Sequence, residues 1–256
     1  MIKLVASDLD GTLLQNGAQA LNPSIFPVIQ KLQKKGIHFV AASGRQYWNL
    51  RNLFYKVQDD ISYICEGGSM YVHNDQIHIP HMIDPSIVRS ITEAVHRYRD
   101  CELTASCTDH MYIEGHTPSF THHMCNIVKN DIMTVDDLLS IPGPVMKMAV
   151  YNPPEVDAVF QRYHALFSDV ITVVHAGSGW VDFIPSGTDK GFALNAILEQ
   201  MSISPDECMV FGDQWNDLPM LKLAGTSFAM ANAAPGIADY CTGVTDSVEK
   251  ELEKLL

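Results

Sequence analysis

Four acids, one hydroxyl and one lysine stand where a parallel α/β sheet would place reactive side chains. Apolar runs over residues 2–7, 37–42 and 208–211 have the pattern of buried strands, and each stops abruptly before a polar loop. Loops at the carboxyl ends of parallel strands converge on one crevice, so we expect these side chains to meet there. The six candidates are Asp8, Asp10, Ser43, Asp213, Asp217 and, at the start of a helical stretch, Lys190.

These residue types suit phosphoryl chemistry. Mg²⁺ is usually held by one or two carboxylates together with waters and a substrate phosphate. A hydroxyl, the backbone N–H groups at Gly44 and a lysine ammonium suit the phosphate itself, and a carboxylate can attack phosphorus to form an aspartyl-phosphate. A single Asp after a strand is more often a helix cap. Because the same topological position is acidic or hydroxylic three times in this chain, capping alone is a poor explanation.

The N-terminal elements that would position these residues form a strand–helix–strand unit. Apolar residues at helical spacing between Ile25 and Leu32 follow the first strand run and end at Gly36, and the second strand run comes next. Such a unit implies parallel pairing and a right-handed crossover. Further helix and strand patterns follow Lys190, so we predict an α/β fold with a doubly wound, Rossmann-like parallel sheet.

Between these two portions the pattern changes to that of an α+β domain. A helix begins at Asp84-Pro85, and two strand-like stretches follow at residues 102–108 and 111–114. After a segment with little clear periodicity, strand patterns return from residues 146–151 onward. The predicted division is a core of residues 1–82 and 186–256 with an α+β domain inserted over 83–185.

The charge balance excludes some classes of partner. The 256 residues include 30 acids and 17 Lys or Arg, for a net charge of −13. This excess argues against binding to nucleic acid or anionic lipid, although a bound divalent cation can still admit an anionic small molecule. No apolar run reaches the ~20 residues that span a bilayer. We therefore expect a cytoplasmic protein with no nucleic-acid or membrane partner, either a monomer or a small homo-oligomer.

Four segments resemble, in order, the motifs of the haloacid dehalogenase-like hydrolases. Asp8-Leu9-Asp10-Gly11-Thr12 is similar to the first motif (DxDGT), and Ser43 within Ala42-Ser43-Gly44-Arg45 to the second. Lys190 before Gly191 resembles the third, and residues 212–221 resemble the fourth (GDxxNDxxML), which the similar segment 229–233 follows. An insert between the second and third motifs resembles the α/β cap of the Cof-type, class IIB members.

The resemblance implies a catalytic role for both acids of the first motif. Asp8 would be the nucleophile, and its carboxylate would also bind Mg²⁺. Asp10 would protonate the leaving alcohol and then activate water, and its backbone carbonyl would face the metal. Lys190 would neutralise charge on Asp8 and on the phosphate. Phosphoryl transfer depends mainly on this kind of positioning and charge stabilisation.

The other motif residues would bind the phosphate and the metal. The resemblance implies that Asp213 ligates Mg²⁺ and that Asp217 supports the metal ligands from behind. The implied phosphate-binding residues are Thr12, Ser43, Gly44 and Asn216. The expected activity is that of a Mg²⁺-dependent phosphoric monoester hydrolase that acts on small phosphorylated metabolites, such as sugar phosphates or nucleotides like FMN, through an aspartyl-phosphate.

Two other functions remain open from the sequence. Phosphomannomutases resemble this motif set and cap position, so a phosphomutase is one alternative. A non-catalytic binding module that keeps the fold is the other, because fold alone does not fix function.

One departure and several specificity candidates lie outside the four motifs. Many relatives have Glu-Asn-Gly where this chain has Glu66-Gly67-Gly68, so a substrate contact from an Asn side chain is missing there. We expect the insert to set specificity by covering the crevice. Candidates are the loop 176–180, His122 and His123 on the insert, with Arg45 and Tyr47 on the core; each also has a plain packing or surface explanation.

Overall fold

The structure is a computed structural model that describes residues 1–115, 117–128, 130–177 and 179–256. The strands are β1 (Leu4–Asp8), β2 (His38–Ala42), β3 (Ser62–Cys65), β4 (Met70–His73), β5 (Gln76–His78), β6 (Glu102–Cys107), β7 (Met111–Ile113), β8 (Ile132–Thr134), β9 (Val145–Tyr151), β10 (Thr172–Gly177), β11 (Trp180–Ile184), β12 (Cys208–Gly212), β13 (Thr226–Met230) and β14 (Gly243–Thr245). The α-helices are α1 (Ile25–Lys34), α2 (Tyr47–Leu53), α3 (Pro85–Tyr98), α4 (Pro118–His122), α5 (Val156–Phe167), α6 (Lys190–Met201), α7 (Leu218–Leu223) and α8 (Val248–Glu253).

The chain forms two compact units. The first contains Met1–His78 and Asp189–Leu256, and the second contains Ile79–Thr188. The second unit therefore starts four residues before the insert predicted over 83–185 and ends three residues after it. Within the described ranges, no helix is long and apolar enough to cross a membrane.

The first unit is built on a sheet with the strand order β14-β13-β12-β1-β2-β3-β4-β5. Pairing is parallel from β14 to β3 and antiparallel at β4 and β5. All five residues of β1 are buried, as expected for a central parallel strand covered on both faces. Leu194 and Ile197 of α6 pack against Leu4, Ala6 and Val210 of the sheet. The predicted α/β fold with a parallel-rich sheet is confirmed.

The second unit has the α+β character that the sequence predicts. Its sheet has the order β10-β11-β9-β6-β7-β8, in which the described pairs are antiparallel except β7 with β8. Apolar residues of α3 and α5, such as Ile91 and Tyr163, share a core with Leu103, Val150 and Phe183 of the strands. The stretch without clear periodicity contains α4 and a π-helix, His123–Val128. Met124 and Phe120 pack there against Met111 and Ile113.

Two histidines of the first unit share one serine hydroxyl inside the sheet. Ser62 Oγ lies 2.7 Å from His38 Nε2 and 2.7 Å from His73 Nδ1. Burial, and then the proximity of His73, lowers the pKa of His38 to about 4. Burial likewise lowers the pKa of His73. Both imidazoles are therefore neutral in the folded protein at neutral pH, and each nitrogen that contacts Ser62 can be satisfied by the single hydroxyl.

We predict that His38 makes the first unit acid-sensitive. The unfolded chain takes up the proton near pH 6.5 and the folded chain only near pH 4, so the stabilisation is complete above 6.5 and declines as the pH falls toward 4. The loss from this group is at most about 3 kcal/mol. Urea unfolding at pH ~7.5 and pH ~5 should give a smaller pH-dependent loss for His38→Gln than for the wild type. The exposed His164→Gln serves as the control, and equal losses in all three proteins would contradict the prediction.

Candidate active site

The predicted convergence of strand ends follows from three neighbouring strands. β12, β1 and β2 lie side by side and run parallel, so the loops after them emerge at one edge of the sheet. Asp8 ends β1, Ser43 follows β2, and Asp213 follows β12. Each of the three side chains belongs to a residue that is no more than 5% exposed. Each of them therefore lies at or just after the end of a strand that is mostly apolar.

Lys190 joins two of the acids. Its ammonium Nζ donates to Asp8 Oδ1 at 2.7 Å and to Asp217 Oδ1 at 2.6 Å, and its side chain is 1% exposed. Lys190 is the first residue of α6, which Asp189 caps by accepting a hydrogen bond from the Phe192 amide at 2.8 Å. The start of this helix therefore delivers a fully buried cation to the end of β1.

Asp217 holds the loop after β12 as well as the lysine. Its Oδ2 accepts hydrogen bonds from the amides of Asp213 and Gln214, both at 2.9 Å. With Oδ1 on Lys190, both oxygens of this completely buried carboxylate are used. Asp217 therefore fixes the position of the Lys190 ammonium relative to the backbone of Asp213.

Asp213 is held by side chains from two loops. Thr12 Oγ1 donates to Asp213 Oδ1 at 3.0 Å, and Gln214 Nε2 donates to Oδ2 at 3.1 Å. Oxygens of Asp8, Asp213 and Asp217 all lie within 4.8 Å of one another. The structure thus brings together three carboxylates and one ammonium from three distant parts of the sequence.

The group carries an excess of negative charge in a buried place. Three carboxylates and one ammonium sum to −3 + 1 = −2 when all are ionised. Burial raises the pKa of Asp8 well above its ordinary value, and the nearby carboxylates of Asp217 and Asp213 add to this, while Lys190 opposes it. Burial and then Asp217 raise the pKa of Asp213 to about 6. A divalent cation would neutralise the group, and all-oxygen donors are the ones that Mg²⁺ takes.

Asp10 lies apart from this group and pairs with Arg45. Arg45 Nε donates to Asp10 Oδ2 at 2.8 Å, and the guanidinium NH2 donates to Oδ1 at 2.6 Å. The Asp10 side chain is 44% exposed, in contrast to the 7% of Asp8. The sequence suggests Arg45 as a substrate contact or a surface residue, whereas in the structure it pairs with Asp10.

Comparisons with known proteins identify the family. A model of haloacid dehalogenase-like hydrolases matches residues 5–251, which include all four motifs. The chain belongs to this family.

Two curated relatives of this hydrolase are named as phosphatases. The 5-amino-6-(5-phospho-D-ribitylamino)uracil phosphatase YbjI of Escherichia coli is 27% identical over 98% of this chain and 97% of its own length. A Bacillus subtilis phosphatase named for the same substrate, YitU, is 24% identical over 97% of this chain and 93% of its own. A crystal structure from Eubacterium rectale is 28% identical, has a TM-score of 0.84 and covers 100% of this chain and 99% of that one. The predicted class, a phosphoric monoester hydrolase of the Cof-type, is confirmed.

The remaining motif residues of the hydrolase are placed as follows. Ser43 Oγ accepts a hydrogen bond from the Arg45 amide at 3.2 Å, and Thr12 is engaged with Asp213. Gly44 and Asn216 are half-buried, Gly44 in the loop after β2 and Asn216 in the turn Trp215–Asp217. Their assignment to phosphate binding stays a prediction, as do the catalytic and metal roles of the other motif residues.

The candidates on the second unit show packing contacts of their own. The Trp180 ring lies 4.6 Å from that of Tyr151, and His123 stacks on Tyr151 at 6.1 Å. His122 is exposed and contacts Asn126. Ser178 of the loop 176–180 lies outside the described residues. A role of these residues in specificity therefore stays a prediction.

Asn232 is a site residue that the motif reading did not single out. Its Nδ2 donates to the Gly11 carbonyl at 2.9 Å and so ties down the loop of the first motif. Two residues later, the Ala234 amide donates to the Asp213 carbonyl at 2.8 Å. The segment 229–233, similar to one in the family, was the signal that could have directed attention to this residue.

All three residues of the Glu66-Gly67-Gly68 segment have positive φ. Gly67 has φ +70°, in the left-handed region where Gly is unstrained and where Asn is the side chain tolerated best. Gly68, at φ +105°, lies against the peptide that precedes Lys190: a Cβ there would come within 2.2 Å of the Asp189 carbonyl carbon. Only a glycine at 68 lets this turn support the start of α6.

Gly68→Ala is expected to destabilise the hydrolase far more than Gly36→Ala. Both positions have positive φ, but a Cβ at Gly36 meets nothing within 4 Å, so that variant measures backbone strain alone, about 1 kcal/mol. The clash at 68 should add roughly 2 kcal/mol. Guanidinium unfolding of both variants measures the difference. Equal losses would mean that the contact with Asp189 does not constrain the site.

Proposed function

We propose that this hydrolase is a Mg²⁺-dependent phosphatase that cleaves small phosphorylated metabolites through an aspartyl-phosphate on Asp8. The observation that carries the proposal is the buried group in which Lys190 binds Asp8 while Asp213 and Asp217 lie beside it. When fully ionised, this buried group carries a charge of −2, which favours binding of a divalent cation and, with it, of an anionic substrate. The nucleophile and its charge partner are already in contact.

The donor set fits Mg²⁺, with the three carboxylates unequal in their freedom to bind it. Both oxygens of Asp217 already accept hydrogen bonds, one from Lys190 and the other from two amides. This supports an indirect role for Asp217, in which it holds the metal ligands in place. Asp8 and Asp213 would hold the ion, with the Asp10 carbonyl as a third ligand. When bound, the ion supplies positive charge next to the transferring phosphoryl group.

The chain's own residues then account for two chemical steps. In the first, an Asp8 oxygen bonds to phosphorus as the ester P–O bond breaks, and Asp10 gives its proton to the leaving oxygen. In the second, Asp10 takes a proton from water as the water oxygen bonds to phosphorus and the bond to Asp8 breaks. Lys190 fixes the orientation of Asp8 and offsets negative charge throughout. Ser43 offers its hydroxyl to a phosphoryl oxygen, and Thr12 would do so by turning its hydroxyl away from Asp213.

Phosphate esters of sugar alcohols are the first substrates to test. Two relatives that match over nearly the whole chain are named for a phosphoribitylaminouracil, whose phosphate sits on a ribityl chain. Both are under 30% identical to this chain, so the shared name supports a substrate class rather than one compound. The class is a phosphate monoester on the primary alcohol of a small polyhydroxylated metabolite, which includes sugar phosphates and FMN.

Phosphate release from a panel of such esters tests the activity. We expect release with Mg²⁺, none with EDTA, and no turnover by Asp8→Asn at any substrate concentration, because an amide is a poor nucleophile. Circular dichroism should show that this isosteric variant is folded. An isomerised ester without free phosphate would support the phosphomutase, and a folded protein with no product from any ester would support the binding module. An active Asp8→Asn protein would refute the assigned nucleophile.

Metal binding can be tested apart from turnover by thermal unfolding. Mg²⁺ should raise the melting temperature of the wild type, since saturation at about 100 times Kd stabilises by about 2.7 kcal/mol. Asp213→Asn should largely lose this shift, because it removes a proposed ligand charge. Asp10→Asn should retain the shift, because only its backbone carbonyl is proposed to face the metal, while its turnover of alkyl esters falls to a low residual rate. A full shift in Asp213→Asn would exclude its carboxylate as a ligand.

A further inference from the structure

The guanidinium of Arg45 binds the Asp10 carboxylate through two parallel hydrogen bonds. The bonds, 2.8 Å from Nε and 2.6 Å from NH2, end on different oxygens of the carboxylate. Such a fork fixes the plane of the carboxylate as well as its position, which a single ammonium contact would not do. Each oxygen keeps a second lone pair outside the fork, and this is where the transferred proton can bind. Asp10 is thereby held in one side-chain orientation.

Arg45 is itself fixed from three directions. Its NH1 donates to Asn49 Oδ1 at 3.1 Å, on the first turn of α2. Its amide donates to Ser43 Oγ at 3.2 Å, and its carbonyl accepts from the Glu66 amide at 3.1 Å. Its side chain is only 11% exposed. The Arg45 side chain is therefore already held in place within the first unit.

The loop that carries Asp10 is held through its backbone, by the bridge between Asp10 and Leu14 and by Asn232 on the Gly11 carbonyl. These contacts do not reach the Asp10 carboxylate. Its side chain is 44% exposed, so water competes for its oxygens. A proton-transfer group must nevertheless lie within about 2.6–3.2 Å of the atom that it serves. The fork from Arg45 provides the restraint that the loop does not.

We propose that Arg45 is a positioning residue that holds Asp10 where it can exchange a proton with the leaving-group oxygen. The proposal rests on the proposed phosphatase function. Arg45 acts through Asp10 and makes no contact with phosphorus. Its loss therefore costs rate only where departure of the leaving group needs that proton.

Two esters separate this role from direct binding of the phosphate. The constant kcat/KM reports the steps up to departure of the leaving group. An alkyl phosphate such as a sugar-alcohol phosphate needs a proton on its leaving oxygen, whereas p-nitrophenyl phosphate releases a stable phenolate without one. We expect Arg45→Ala to lower kcat/KM about 10- to 100-fold for the alkyl ester and less than about 3-fold for p-nitrophenyl phosphate. Arg45→Lys should recover part of the loss, because it restores the charge but not the fork.

Arg51→Ala is the matched control. Arg51 lies on α2, which begins two residues after Arg45, and like Arg45 it makes an ion pair, in this case with Asp59; it also donates to the Gln58 carbonyl at 3.2 Å. Its removal tests the loss of a paired arginine near this helix, and we expect unchanged kcat/KM for both esters. A double-mutant cycle gives the second readout: in an Asp10→Asn background, Arg45→Ala should cause no further loss.

The outcomes are distinct. Equal losses for both esters would overturn the proposal, because Arg45 would then act on the phosphate itself. Unchanged rates for both, or full additivity with Asp10→Asn, would overturn it as well. A wild type that hydrolyses neither ester would refute the proposed function, and the role of Arg45 with it. Melting curves show whether Arg45→Ala is folded; if it is not, the ratio of the two esters in Arg45→Lys decides.

Discussion

The contact of one buried ammonium with two buried carboxylates organises the first unit. Lys190 is almost inaccessible to solvent, and an unpaired charge in such a place costs several kcal/mol. The lysine can therefore be buried only where carboxylates reach it, at the point where the end of β1, the loop after β12 and the start of α6 meet. Asp8 and Asp217 supply the two partners. The same contact that satisfies the lysine also orients the acid that is proposed to attack phosphorus.

Without a metal ion, the close packing of these buried carboxylates lowers the stability of the protein. Burial first, and then repulsion among the three closely packed carboxylates, raises the pKa values of Asp8 and Asp213. The surrounding contacts hold them in place nonetheless: Asp217 bonds two amides, and Thr12 bonds Asp213. An arrangement that is unfavourable alone but favourable with a cation and an anionic ligand is typical of a binding site rather than a structural ion pair.

The sequence predicted the first strand–helix–strand unit, the inserted α+β domain and the meeting of Asp8, Lys190 and Asp213, because strand ends and chain order determine which loops become neighbours. It could not predict partners within the site, since these depend on side-chain orientation. Arg45 bonds Asp10 and Thr12 bonds Asp213, although residue type alone allowed either to face a substrate. The π-helix at His123–Val128 was missed for another reason: its apolar residues follow no α-helical or strand period.

The pairing of β1 with β12 has a consequence for how the chain is made. Leu4 and Cys208 are paired neighbours, yet about 200 residues separate them, with the whole second unit between. Until the ribosome has released β12, β1 is an edge strand of apolar residues with one row of backbone groups unpaired. A nascent chain in this state exposes an unpaired strand edge that can act as a template for aggregation. Folding can begin at the N-terminus, but the sheet is not complete until β12 is available. The first unit therefore closes late in synthesis, and chaperone demand should be concentrated on the interval between the two strands.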